Sequence, residues 1–133
     1  MVYDDKNSRR TRGGKERTMA ERNYQKGEII FREGDSGLSM FDIYWGKVGI
    51  YSGYGTEQER LLTELSDAQF FGEMGMLEQL PRSATAVALE DDTRVEEITE
   101  EEFAAYLSDK PMRVLMLLRQ LSRRVRELSE ERQ

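Results

Sequence analysis

The sequence contains no cysteine and no histidine among its 133 residues. Without thiols there is no disulfide, no thiolate nucleophile and no thiolate-ligated metal. Without imidazole the commonest general base at neutral pH is missing as well. Carboxylate chemistry survives these exclusions, but 26 acidic residues in so short a chain bring carboxylates together by chance. A carboxylate pair is therefore no evidence of a hydrolase, and no enzyme is expected. Proline occurs only twice, at Pro81 and Pro111, so each marks a break. No apolar run reaches the length of a signal-peptide core or a membrane span, and the lack of cysteine fits a reducing compartment. The expected location is the cytoplasm.

The net charge of −6 argues against a nucleic-acid-coating surface over the body of the protein. The charge is uneven. Seven Lys or Arg against four acids from Met1 to Arg22 make that segment +3, leaving −9 for the rest. Residues 1–23 read as a flexible basic arm with no apolar period, compatible at most with a short helix from Lys15 to Arg22. Order is expected to begin near Tyr24. The length suits one domain.

Between Tyr24 and Ile98, short apolar or alternating runs are separated by Gly, Asp and Ser, the pattern of antiparallel β structure rather than of βαβ units. Strands are expected at Glu28–Arg32, Met40–Trp45, Lys47–Tyr51, Arg60–Glu64, Ala84–Leu89 and Thr93–Glu97. The fold class is mainly β with flanking helices, a β-roll or jelly roll. After Thr99 the period changes. Thr99 with Glu102 three residues on is a capping-box signature for one helix, and Pro111 opens a second. The domain plan is thus a β-roll with its first following helix over 24–110 and a C-terminal helix over 111–133. In that last helix Val114, Leu118, Leu121, Val125 and Leu128 alternate spacings of four and three, the rhythm of a two-helix seam. Leu115 and Leu117 widen the stripe, so a helix lying on its own domain is the equal alternative.

One segment, "FGEMGMLEQLPRSATA" from Phe71 to Ala86, carries the chemistry. Glu73 to Leu77 can form one helical turn whose first N–H groups favour a phosphate, and Gly72 permits close approach. Arg82 offers a planar fork of donors to the same anion, Ser83 adds a hydroxyl, and Glu73 is an acceptor suited to ribose hydroxyls. The plainer reading has Glu73 capping the short helix and Arg82 pairing with it or with Asp92 as a surface ion pair.

This segment resembles the phosphate-binding cassette of the cyclic nucleotide-binding domain family: Phe-Gly-Glu, a short helix, then Arg followed by small residues. "GDSGLSMFDIYWGKVGIY" is similar to the family's upstream region at Gly34, Asp35, Gly37, Phe41, Ile43, Gly46 and Val48. "LMLLRQLSRRVREL" resembles the long helix that dimerises in bacterial members. The resemblance implies a β-roll that binds cyclic AMP or cyclic GMP and needs no cofactor or metal. It assigns Glu73 to the ribose 2′-hydroxyl and Arg82 to the exocyclic phosphate oxygens. Gly72, Ser83 and Ala84 would line the phosphate, and Val48, Phe71 and Met74 the apolar walls. Ser129, near the end of the last helix, would either reach the base from above, as polar cap residues do in the family, or be plain surface. Leu38 and Gly75 depart from the family pattern, which often has an acidic or small polar residue and Ala there. Ser83 leaves cyclic GMP open beside the favoured cyclic AMP. No DNA-binding domain is evident, so the expected role is a sensor or regulatory module, dimerising through its last helix. The alternative is a dimer scaffold that has lost its ligand.

Overall fold

Apolar runs punctuated by tight turns close into two four-stranded antiparallel sheets in the computed structural model, which describes residues 20–131. The strands are β1 (Ala20–Tyr24), β2 (Ile29–Phe31), β3 (Ser39–Trp45), β4 (Val48–Ser52), β5 (Arg60–Leu65), β6 (Phe70–Phe71), β7 (Thr85–Ala88) and β8 (Thr93–Thr99). One sheet has the order β1-β8-β3-β6 and the other β2-β7-β4-β5. Three helices complete the fold: α1 (Glu73–Glu78), α2 (Phe103–Asp109) and α3 (Pro111–Glu131). The expected β-roll with a short helix and two C-terminal helices is the observed architecture, and all six expected strands are present with small shifts of their ends. Among the described residues no helix is long and apolar enough to cross a membrane.

The N-terminal expectation needs correction. Residues 20–24 are neither the end of an arm nor a helix, but a strand paired with β8 from Ala20↔Glu97 to Tyr24↔Thr93. Without it, the outer edge of β8 would present unpaired peptide groups. The expected arm over residues 1–19, including the first part of the Lys15–Arg22 helix, lies outside the described residues.

Strand β3 is buried on both faces and organises two cores. Phe41 and Ile43 face the space between the sheets with Val48, Leu65, Phe71, Ala86 and Val95. Met40, on the alternate face, packs with Phe70, Met76, Ile98, Tyr106 and Leu117 beneath the helices. The period of two thus sends neighbouring residues into different cores. Gly46, at φ 99°, makes the β3–β4 turn, and a Cβ there would lie 2.5 Å from the Thr93 hydroxyl oxygen.

The capping box forms: the Thr99 N–H donates to Glu102 at 2.9 Å, and the Glu102 N–H donates to the Thr99 hydroxyl at 3.3 Å. Two ion pairs then fasten the α2–α3 junction. Arg113 forks onto the fully buried Asp42, which also accepts from the Tyr106 hydroxyl at 2.5 Å. Lys110 donates to Glu96 at 2.8 Å. Burial pushes the Tyr106 phenol up, and its hydrogen bond to Asp42 adds to this.

Helix α3 lies on its own domain with part of its apolar stripe. Val114, Leu117 and Leu121 pack on the domain's own core, whereas Leu118, Val125 and Leu128 are exposed. Gln120 fixes the middle of the helix by donating to the Phe70 carbonyl at 2.9 Å and accepting from the Phe70 N–H at 2.8 Å.

Candidate functional site

Immediately after Phe70 and Phe71 the chain turns through Gly72, whose φ of 78° suits glycine, into the six-residue α1. Gly72 is the N-cap and no side chain caps the helix, so the first N–H groups of α1 lack intrahelical partners. Glu73 therefore does not cap the helix. Its carboxylate is buried and accepts from Arg124 of α3 at 2.8 Å.

Arg82 does not pair with Glu73 or with Asp92. Its guanidinium donates to the Gly72 carbonyl at 3.0 Å and to the Ser39 hydroxyl at 3.2 Å, and lies 4.2 Å from the centroid of the Phe31 ring. Among the described residues no carboxylate lies within ion-pair distance of it. The residue is only 6% exposed, and burial lowers its pKa, with the charges of Glu97 and Asp35 acting the other way. A buried cation with no direct counter-ion is costly on its own, and a bound anion offsets that cost. Two of the fork's five N–H groups are used by these bonds, leaving donors for such an anion.

Three glycines make room for this side chain. A Cβ on Gly37 would lie 2.5 Å from the Arg82 Nε, and one on Gly72 or Gly75 would lie 2.9 Å from an Arg82 Nη. Gly75, a departure from the family pattern, is therefore part of the guanidinium's cradle. Leu38, the other departure, is exposed.

A cavity of about 690 Å³ opens between the cassette, the β4–β5 hairpin and α3. Phe71, Gly72, Glu73, Met74, Arg82, Ser83 and Ala84 all line it. Val48 does not. It is fully buried in the core between the sheets, whereas Ile50, two residues on and on the same face of β4, packs at the margin of that core and lines the cavity. Ser129 is exposed and lies off the cavity wall, to which α3 contributes Gln120, Arg123, Arg124, Glu127 and Leu128. Sequence reasoning missed Ile50, Gln120 and Arg124. The i, i+4 spacing of Gln120 and Arg124 puts them on one helical face, but nothing in that spacing reveals what the face meets.

Comparison with known proteins agrees with this geometry. The profile of the cyclic nucleotide-binding domain matches residues 21–110. The chain is similar to the Cyclic AMP receptor protein of Thermus thermophilus, 36% identical over 108 residues covering 81% of this chain and 50% of that protein. The crystal structure of Thermus thermophilus Catabolite Activator Protein superimposes with a TM-score of 0.71 and 35% identity, over 85% of this chain and 53% of that one. Human cGMP-dependent protein kinase 2 is 36% identical over 81 residues, 60% of this chain and 11% of the kinase. The chain spans about half the length of the bacterial receptor it matches. With the cassette, the two-sheet roll and the profile in agreement, the chain belongs to the cyclic nucleotide-binding domain family.

Proposed function

We propose that this domain is a cyclic nucleotide sensor that takes cyclic AMP in preference to cyclic GMP and signals through movement of α3. The observation that carries the reading is the buried Arg82, held without a carboxylate partner on the same cavity as Glu73. In this reading Arg82 and the first amides of α1 take the cyclic phosphate. Ser83 and Ala84 line the same end, and Glu73 accepts from the ribose 2′-hydroxyl. Phe71, Met74 and Ile50 contact the apolar parts of the ligand. Cyclic AMP is favoured because the relative similar over most of the chain is a cyclic AMP receptor, whereas the cyclic GMP-dependent kinase is similar over a shorter stretch. The role is regulatory rather than enzymatic.

Signalling follows from what α3 touches. Gln120 grips the backbone of Phe70 and Arg124 grips Glu73, so a cassette that tightens on a phosphate pulls on two consecutive turns of one helix. Only a difference in ligand affinity between the two helix positions can drive the shift. The exposed Leu118, Val125 and Leu128 would carry it to a second copy of the chain.

Titration calorimetry with cyclic AMP, cyclic GMP and cyclic dinucleotides tests the reading. Binding of cyclic AMP is expected, weakened by about 2–4 kcal/mol in Arg82→Ala, because the phosphate then loses its desolvated partner. No heat with any of these ligands would favour the ligand-free scaffold instead.

A further inference from the structure

Arg82 also lines a second cavity, of about 610 Å³. There a chain of hydrogen bonds crosses the inner face of one sheet. The Arg22 Nε of β1 donates to Glu97 of β8 at 2.7 Å. The Ser39 hydroxyl of β3 donates to the other oxygen of the same carboxylate at 2.7 Å. Ser39 in turn accepts from Arg82 at 3.2 Å. Pairing sets these residues diagonally on one face, since Ala20 and Phe41 both lie opposite Glu97.

We propose that Ser39 and Glu97 are positioning residues that hold the Arg82 guanidinium for an anion, a role that rests on the cyclic nucleotide reading. The hydroxyl has one proton, and Glu97 claims it, so the Ser39 oxygen is left as an acceptor aimed at Arg82. Arg22 occupies the second carboxylate oxygen and fixes the direction of the relay. Counter-charge therefore reaches Arg82 at one hydroxyl's remove. A carboxylate in direct contact would have to be displaced by the incoming phosphate, whereas no counter-charge at all would leave a desolvated cation free to swing. Asp35 does not take over this role, because its carboxylate accepts from the Arg32 N–H at 3.0 Å within its own turn. Leu38, exposed next to Ser39, offers no charge.

The test uses the whole chain with cyclic AMP and cyclic GMP in calorimetry, and side-chain ¹⁵N spectra of the ligand-free protein. Ser39→Ala is expected to lower affinity about tenfold and Glu97→Gln about threefold, while Ser39→Thr, which keeps the hydroxyl, stays within about twofold of the parent. In an Arg82→Lys background Ser39→Ala is expected to change affinity by less than about twofold, since neighbours that act through one group are not additive. In the free protein the Arg82 guanidinium resonances, assigned by their loss in Arg82→Lys, are expected to be separate in the parent and to average in Ser39→Ala. Unchanged resonances, or an equal loss of affinity in both backgrounds, would overturn the positioning role. If the parent bound no cyclic nucleotide, the functional reading would fail while the spectra still decided whether Ser39 holds Arg82.

Discussion

Arg124 of α3 donates a 2.8 Å hydrogen bond to Glu73, the buried acid at the start of α1, and so ties the C-terminal half of the last helix to the cassette. The same carboxylate is the group expected to meet a ribose hydroxyl. On the proposed reading, helix position and ligand binding would share one acceptor. Arg124→Gln leaves Glu73 buried without its cation and is expected to cost about 1–3 kcal/mol of unfolding free energy in a urea titration. Amide exchange over residues 121–131 should accelerate in the same variant, and unchanged exchange would show that the pair does not hold the helix.

The glycine cradle makes a second prediction. Gly37→Ala would place a methyl group 2.5, 2.6 and 2.7 Å from three guanidinium atoms, so the side chain must move. Gly75→Ala meets the Arg82 Nη1 and the Gly37 carbonyl oxygen, each at 2.9 Å. Alanine at position 75 gains about 1 kcal/mol of helix propensity, which offsets part of the crowding. Cyclic nucleotide affinity is therefore expected to fall more in Gly37→Ala than in Gly75→Ala, with thermal midpoints moving less than affinities. The reverse order in calorimetry would mean that Arg82 accommodates the methyl group elsewhere.

Alkaline pH should loosen the α2–α3 anchor. The Tyr106 phenol is raised above its ordinary value of 10.0, first by burial and then by donating to Asp42. A group raised in the folded state contributes stability that is complete below the unfolded pKa and is lost as pH rises above it toward the folded value. Above about pH 10 the unfolded chain ionises Tyr106 while the folded chain does not, a loss of about 1.4 kcal/mol per pH unit. Denaturation of the parent and of Tyr106→Phe at pH 9, 10 and 11 should show their stability difference changing with that slope. Parallel curves would remove Tyr106 as the cause.

Leu118 and Val125, a heptad apart and both exposed on α3, face away from the domain's own core. Sedimentation over a range of concentrations is expected to show a monomer–dimer equilibrium for the parent and monomer alone for Val125→Glu. A monomeric parent at high concentration would leave the stripe without that role.

The strands from Glu28 onward, apart from the two-residue β6, were legible because they alternate or run apolar between turn-forming residues, and the change to helical period after Thr99 is local. The cassette was legible because Gly72, Glu73 and Arg82 lie within a dozen residues of one another. Ala20–Tyr24 was not, since an exposed, charged edge strand carries no apolar period and is stabilised by the β8 edge it pairs with. The burial of Val48 was not legible for a related reason: Val48 and Ile50 share one apolar face of β4, and only the packing of the two sheets decides that position 48 lies in the core while position 50 reaches the cavity.

Composition and local spacing alone determined the antiparallel roll, the short helix after Gly72 and the break at Pro111, and set Glu73 and Arg82 on one short segment. Tertiary structure decided which polar groups meet: Glu73 with Arg124, 51 residues away, and Arg82 with Ser39, 43 residues away, in place of either acid that the plainer reading gave it. Backbone periodicity is a property of neighbouring residues, so a short window of sequence contains it. Ion pairs and hydrogen-bond relays are properties of surfaces brought together by folding, and no window of sequence contains both of their halves.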